Sequence, residues 1–203
     1  ARAIENLQKV GPDNLTDEQR AESEFKLGYA YFAQKEFDKA KLQFDRNKQG
    51  QHEYRYASAY YAGYLAYRAG DTQSARQDLA LAAQNDAYRP VVPAMLTQIY
   101  YKEGDYDGLI SYATEALKQT PPPQGADEMQ LLLGDAYYQK QDFAKAAEYL
   151  DQYANGRKKI DPEVQYKIGY ANFKQGDFKG AIGSLKGVAA RRDSLGQNAA
   201  YHL

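Results

Sequence analysis

Residues 133–150 read LGDAYYQKQDFAKAAEYL, and three further stretches follow the same plan: LGYAYFAQKEFDKAKLQF at 27–44, AGYLAYRAGDTQSARQDL at 62–79 and IGYANFKQGDFKGAIGSL at 168–185. Each stretch opens on an apolar residue and a Gly, passes through aromatic residues to a short polar turn, and resumes with apolar residues three or four apart. That spacing places the apolar residues on one face of a helix on each side of the turn. The pattern therefore predicts a helix–turn–helix unit.

The unit recurs along the chain with a period of about 35 residues. Its opening pairs are separated by 35, 34, 37 and 35 residues, at Leu27-Gly28, Ala62-Gly63, Leu96-Thr97, Leu133-Gly134 and Ile168-Gly169. A single unit leaves one apolar face bare, and a neighbouring unit covers it. We therefore expect a stack of helix pairs that contacts between neighbouring units stabilise.

Two short motifs mark where helices begin. Thr16 and Gln19 form a capping-box pattern, in which each side chain bonds the backbone of the other residue. Asp161-Pro162-Glu163 places an N-cap, a first-turn Pro and an acidic residue at the start of another helix. The spacing therefore predicts helices starting near residues 17 and 162.

The quoted stretches make the chain similar to the tetratricopeptide repeat family, whose unit is a helix–turn–helix of 34 residues. The early Trp of that family's pattern is missing here, and its places hold Glu24, Ala59, Pro93, Gln130 and Gln165. The resemblance implies an all-α fold: a right-handed superhelical solenoid of antiparallel helix pairs, with about five full repeats and a half repeat at each end.

We expect residues 1–203 to form a single solenoid. Full repeats are predicted at 17–48, 54–86, 90–119, 126–154 and 162–191, with the second helix of a preceding repeat at 1–10 and the start of a further repeat at 195–203. Because neither end resembles a polar-faced capping repeat, we expect a fragment of a longer array. The alternative is a native protein with two atypical terminal helices.

Composition narrows the classes of partner and of chemistry. Lys and Arg number 26 and Asp and Glu 27, which gives a net charge of −1 and argues against nucleic acid as a partner. No stretch approaches the roughly 20 apolar residues that a membrane-spanning helix needs, so we expect no direct membrane insertion. The chain has no Cys, and its two His residues, His52 and His202, lie 150 residues apart. We therefore expect neither a metal nor a cofactor.

Motifs for catalysis are missing from the sequence. It contains no Gly-x-Ser-x-Gly elbow, no phosphate-binding Gly-rich loop and no His or carboxylate cluster with metal-ligand spacing. Because no role in a reaction has a candidate residue, the sequence indicates a protein that is not an enzyme.

The resemblance also implies that the first helix of each repeat lines an inner, concave wall. Helical steps of four and three residues then select the residues on that wall. The candidate partner-binding groove consists of Phe25, Tyr29, Phe32, Tyr60, Tyr64, Tyr67, Arg68, Gln98, Tyr101, Lys102, Asp135, Tyr138, Tyr166, Tyr170, Phe173 and Lys174. The competing interpretation is that the last ring of each row packs between adjacent repeats.

These expectations combine into a noncatalytic scaffold that binds a protein or peptide segment in an aromatic concave groove. The matching places hold Phe25, Tyr29, Tyr64, Ala94 and Gln98 rather than Lys, Asn and Arg, which argues against the carboxylate clamp of chaperone-binding members. One alternative is a self-association module that uses open repeat ends near Leu7 and Leu203. Another is the regulatory part of an enzyme or sensor whose active domain lies outside these residues.

The sequences of two repeats indicate in which cellular compartment the protein acts. YYAGYLAYRAGD at 60–71 and VVPAMLTQIYYKEGDY at 91–106 resemble exported bacterial tetratricopeptide proteins of the cell envelope, of the Tol-Pal and outer-membrane assembly type. That resemblance implies a periplasmic or envelope location and a role in envelope assembly or maintenance. A cytoplasmic location is the alternative.

Overall fold

The computed structural model describes residues 15–203, so the predicted helix at 1–10, with Leu7, lies outside the described residues. Two compact units divide the chain, one ending at Ile99 and the other running from Tyr100 to Leu203; we call them unit 1 and unit 2. The described residues form eleven helices and no strand. They are α1 (Asp17–Ala33), α2 (Phe37–Asn47), α3 (Tyr54–Ala69), α4 (Thr72–Ala82), α5 (Val92–Glu103), α6 (Tyr106–Ala116), α7 (Ala126–Gln139), α8 (Phe143–Ala154), α9 (Pro162–Lys174), α10 (Phe178–Ala189) and α11 (Ser194–Tyr201).

The helices lie where the repeat pattern places them. Each of the five predicted full repeats holds two consecutive helices, α1 and α2 in 17–48 through α9 and α10 in 162–191. Helix α11 covers most of the predicted segment 195–203. The all-α fold of helix pairs is therefore confirmed, whereas the continuity of one solenoid over the whole chain stays a prediction.

Side chains at the helix starts satisfy the free backbone N–H groups. At α1 the Gln19 N–H donates to Thr16 Oγ1 at 3.3 Å and the Thr16 N–H donates to Gln19 Oε1 at 3.0 Å, which confirms the capping box. At α9 the Glu163 N–H donates to Asp161 Oδ1 at 2.8 Å, as the sequence predicts. The local sequence alone thus sets both helix starts.

A left-handed residue closes the turn inside each repeat. Gly70, Gly104 and Gly176 adopt φ values of 82°, 70° and 81°, a conformation that glycine accepts without a Cβ clash. Lys35 and Gln141 occupy the same place in their repeats with φ of 61°. The next residue caps the second helix in four repeats, through Asp71, Asp105, Asp142 and Asp177, whose carboxylates accept N–H bonds of 2.9–3.1 Å.

Close approach of the two helices in a repeat explains the small residue of the opening pair. A Cβ on Gly134 would lie 2.7 Å from Leu150 Cγ and 3.0 Å from the Leu150 backbone nitrogen. Gly28, Gly63 and Gly169 meet Phe44, Leu79 and Leu185 in the same way. These partner side chains are fully buried and form the core between the helices of each pair.

Candidate protein-binding surface

In unit 1 the predicted groove residues of α1 form a row of rings. Phe25, Tyr29 and Phe32 follow one another with ring centroids 6.4 Å apart at each step. Tyr29 keeps 48% of its surface exposed, whereas Phe25 and Phe32 are half-buried. The middle ring is therefore the one that this row offers to solvent.

Tyr61 of α3, which the sequence analysis did not select, holds this row against the next repeat. Its ring lies 5.6 Å from Tyr29 and 5.2 Å from Phe32, both edge to face, and stacks on Phe44 at 5.2 Å. Such aromatic pairs stabilise a core beyond the apolar area that they bury. We call Phe25, Tyr29, Phe32, Phe44 and Tyr61 the aromatic cluster of unit 1.

The other predicted groove residues on α3 make separate contacts. Tyr60 stacks on Tyr88 at 5.0 Å, and the Tyr64 ring lies 5.8 Å from Phe32. The Tyr67 hydroxyl donates to Gln98 Oε1 at 3.2 Å, so this ring bonds the next repeat. Burial, with a smaller effect of Tyr64, raises the pKa of Tyr60 and keeps its hydroxyl protonated at neutral pH.

In unit 2 three polar side chains, Tyr101, Asp135 and Lys167, contact one another across neighbouring repeats, as the rings around Tyr61 do in unit 1. Lys167 Nζ donates to Asp135 Oδ1 at 2.5 Å, and the Tyr101 hydroxyl donates to the other oxygen of Asp135. Asp135 is only 5% exposed. We call these three residues, one from each of three consecutive repeats, the polar triad. Asp135, which the helical steps assign to the groove, is therefore buried, and its carboxylate accepts bonds from Tyr101 and Lys167.

The electrostatics of the polar triad keep its lysine charged. Burial lowers the pKa of Lys167, but the hydrogen bonds and charges of Asp135 and Glu163 outweigh burial and raise the pKa above its ordinary value. Burial and the bond to Asp135 raise the pKa of Tyr101 as well, so its phenol stays a donor. The triad thus contains one compensated ion pair and a neutral hydroxyl.

The remaining predicted rings of unit 2 pack on one another. Tyr166 stacks on Tyr170 at 6.0 Å, Tyr138 lies 5.9 Å from Tyr170, and Phe173 lies 6.5 Å from it. All four are half-buried. His202, also missed in the sequence analysis, contributes a ring 4.9 Å from Tyr170 and 5.2 Å from Phe173.

The three predicted cations are exposed, and Arg68 and Lys174 lie over rings. The Arg68 guanidinium lies 4.4 Å from the centroid of Phe37, and Lys174 Nζ lies 5.6 Å from Phe143 and 5.9 Å from Tyr170. Lys102 is exposed near the end of α5. Cations over ring faces gain a modest electrostatic attraction in water.

The residues that the sequence analysis missed share one place in the repeat. Tyr61, Lys167 and His202 each stand one residue before the opening apolar position, which is Ala62, Ile168 and Leu203 respectively. Each contacts residues of the preceding repeat on its first-helix row. Aligning the repeats at their 35-residue period would have shown that this position recurs before each opening pair. The helical steps of four and three residues do not select it.

Within residues 15–203, no three His, Asp or Glu side chains come together as metal ligands. No helix of the described part of the chain is long and apolar enough to cross a bilayer.

The fold and the rows of rings define an α-helical repeat protein built from two-helix units. Models of the tetratricopeptide repeat match residues 95–162 and, separately, residues 22–46 and 163–193, which together are more than half of the chain. The chain belongs to the tetratricopeptide repeat family.

Solved structures share this fold at low sequence identity. MamA of strain AMB-1 aligns with a TM-score of 0.64 and 15% identity, covering 84% of this chain and 90% of MamA. A tetratricopeptide repeat protein from Parabacteroides merdae aligns with a TM-score of 0.67 and 14% identity, covering 91% of this chain and 72% of that protein. The apo form of RapI aligns with a TM-score of 0.66 and 13% identity, covering 98% of this chain and 62% of RapI. No curated protein sequence matches the chain. At these identities the likeness shows the fold alone.

Proposed function

We propose that this protein is a noncatalytic scaffold that binds a protein or peptide segment along the first-helix side of its repeats. Tetratricopeptide repeats are in general protein-interaction modules, and solenoids of this type present extended concave binding surfaces. The observation that carries the proposal is the row of rings on α1, with Tyr29 nearly half exposed between Phe25 and Phe32. Tyr is one of the residue types enriched among those that dominate binding energy.

The rings that end each row have a structural role beside any role in binding. Phe32 packs against Tyr61 and Tyr64, and Tyr138 packs against Tyr170. A partner therefore finds only part of each of these half-buried rings accessible, whereas Tyr29 is 48% exposed. This supports Tyr29 as the main contact of unit 1.

A pair of matched variants tests the proposal. Tyr29 on α1 is 48% exposed and Leu42 on the second helix of the same repeat is 50% exposed. We expect Tyr29→Ser to lose partners that the wild-type protein captures from the extract of its own cells, and Leu42→Ser to retain them. Capture that is equal for both variants, with melting curves like the wild type, would contradict the proposal.

Self-association is the second candidate, because unit 2 exposes a group of large apolar side chains. Phe178 and Ile182 stand one turn apart on α10, and Tyr201 and Leu203 are exposed at or just after α11. Sedimentation velocity over a hundredfold concentration range should then show a dimer that Phe178→Ser with Ile182→Ser weakens. A monomer at every concentration would exclude this candidate.

We also propose the bacterial cell envelope, most simply the periplasm, as the place of action. The support is the resemblance of the Tyr-rich repeats to envelope proteins, since no matched structure bears on the compartment. Osmotic-shock fractionation of the native cells should release the protein with periplasmic markers. Retention with cytoplasmic markers would favour the cytoplasmic alternative.

A further inference from the structure

A cavity of about 370 Å³ lies in unit 2 beside the polar triad, between residues of α7 and the start of α9. Leu131, Leu132 and Val164 form its apolar lining, and all three side chains are half-buried. Its volume lies at the low end of the range of about 300–1,000 Å³ that ligand pockets occupy. The cavity is therefore large enough for a side chain of a bound protein segment.

The charged lining of the cavity is acidic. Three carboxylates line it, those of Asp135, Asp161 and Glu163, against the single ammonium of Lys167. The bonds of the polar triad compensate Asp135 and Lys167. Glu163 is mostly exposed and shares Lys167 with Asp135 through an ion pair of 3.2 Å, and Asp161 is exposed and caps α9 by accepting the Glu163 N–H. Three carboxylates thus face one ammonium, and the excess negative charge lies at the exposed rim.

Two further cations near this rim, Arg157 and Arg191, pair with carboxylates outside it. The Arg157 guanidinium lies 4.1 Å from the ring of Tyr153, which also lines the cavity. Arg157 pairs with Asp127 at 3.0 Å and donates to the Tyr153 carbonyl at 2.8 Å. Asp127 balances the charge of Arg157. Arg191, whose charge also acts on Asp161, pairs with Asp193, so neither cation forms an ion pair with Asp161 or Glu163.

We infer that this cavity accepts an apolar side chain of the partner segment, next to a Lys or Arg side chain that pairs with Asp161 and Glu163. The inference rests on the proposed function and specifies the chemistry of the partner. Burial of the apolar side chain against Leu131, Leu132 and Val164 supplies the hydrophobic gain. The rim carboxylates attract a basic segment and repel an acidic one, which sets the orientation and the association rate.

Three fluorescent peptides of equal length probe this inference. Each has Gly-Ser flanks, and the cores are Leu-Lys-Leu-Arg, Leu-Glu-Leu-Glu and Ser-Lys-Ser-Arg. Fluorescence anisotropy with the full chain should give the tightest binding for the first peptide, about tenfold weaker binding for the acidic one, and weaker binding for the core without Leu. Equal affinity for the basic and acidic peptides would overturn the inference.

A neutral double variant separates the rim charges from general electrostatics. Asp161→Asn with Glu163→Gln keeps the size of both side chains, and Asn still caps α9. We expect it to bind the Leu-Lys-Leu-Arg peptide about fivefold more weakly than the wild type and to lose most of the salt dependence. The matched control, Glu115→Gln with Glu148→Gln, removes the same charge from exposed ion pairs on α6 and α8 and should bind like the wild type.

Two further readouts complete the test. Val164→Thr makes the cavity more polar at constant shape. It should weaken binding of the Leu-Lys-Leu-Arg peptide and leave binding of the Ser-Lys-Ser-Arg peptide unchanged. This variant tests the inference even if the double variant fails to fold. Unchanged peptide affinity in the folded double variant would overturn it. If Tyr29→Ser loses its partner while the double variant keeps both partner and peptide, the proposed function stands and only the cavity inference fails.

Discussion

In unit 1 the residue before the Ala62-Gly63 pair is Tyr61, whereas in unit 2 the residue before the Ile168-Gly169 pair is Lys167. Both side chains contact the first-helix row of the preceding repeat. Tyr61 does so with ring centroids 5.2 Å from Phe32 and 5.6 Å from Tyr29, and Lys167 does so through an ion pair with Asp135. One place in the repeat therefore accepts either a ring or a charge.

The ring contacts of Tyr61 and the ion pair of Lys167 differ in what they contribute to stability and in which side chains they leave exposed. Packed rings stabilise by burying apolar surface, whereas a buried ion pair contributes little net free energy but is costly to break. In unit 1 the packing of the rings leaves Tyr29 nearly half exposed. In unit 2 the ion pair of Lys167 and Asp135 lies beside a cavity with an acidic rim. The two units thus offer a partner different chemistry on the same scaffold.

The largest effect should come from breaking the polar triad. Asp135→Ala leaves the half-buried Lys167 with only the exposed Glu163, 3.2 Å away, as a carboxylate partner, and we expect a loss of about 3 kcal/mol in the free energy of unfolding. Urea unfolding followed by circular dichroism measures it. The control is Asp107→Ala, which removes an exposed pair with Lys140 and should change stability by less than about 1 kcal/mol. Equal losses in the two variants would show that the triad is not a buried ion pair.

Removing the ring at the equivalent place should cost somewhat less. Tyr61 is only half-buried, so we expect Tyr61→Ala to lower the free energy of unfolding by about 2 kcal/mol through loss of contacts in the aromatic cluster. Tyr201→Ala, at the exposed end of α11, serves as the control and should be neutral. A neutral Tyr61→Ala would mean that the cluster does not hold α1 against α3.

Two glycines of unit 2 should respond in opposite directions. Gly134→Ala places a methyl group 2.7 Å from Leu150 Cγ, and we expect a loss of about 1.5 kcal/mol in stability from overpacking. Gly183→Ala on α10 meets nothing within 4 Å, and the better helix propensity of Ala should stabilise by about 1 kcal/mol. Thermal unfolding of both variants decides the matter, and the same sign for both would contradict the packing described for the helix pairs.

The smallest effect should be the same in both units. Lys35 and Gln141 occupy the left-handed turn place that glycine fills in the other repeats, one residue in each unit. We expect Lys35→Gly and Gln141→Gly each to stabilise by about 0.5 kcal/mol, because the Cβ clash disappears at the price of a more flexible unfolded chain. Calorimetry can resolve a rise in the melting temperature, and a fall in either variant would contradict this account of the turn.

Much of the fold could be predicted because its determinants are local. Thr16 and Asp161 set helix starts within three residues of themselves, and Gly28 and Gly134 report the close approach of two adjacent helices. Periodicity then shows which faces are apolar. These signals specify the helix pairs without reference to distant contacts.

The polar triad could not be predicted in the same way. Lys167 in a helix is typical of a solvated face, and its partner Asp135 lies 32 residues earlier in the sequence. Tyr61 likewise lies outside the row selected by helical steps, although its ring completes the aromatic cluster. Only the three-dimensional register brings such residues together, since each contact joins neighbouring repeats.

The central claim is that a protein segment binds along the first-helix side of the repeats. A photo-crosslinking amino acid placed at Tyr29 or at Leu42, two equally exposed positions on opposite helices of one repeat, tests it directly in cells that contain the natural partners. We predict a discrete crosslinked adduct from position 29 and none from position 42. An adduct from position 42 alone, or from both positions equally, would contradict the claim.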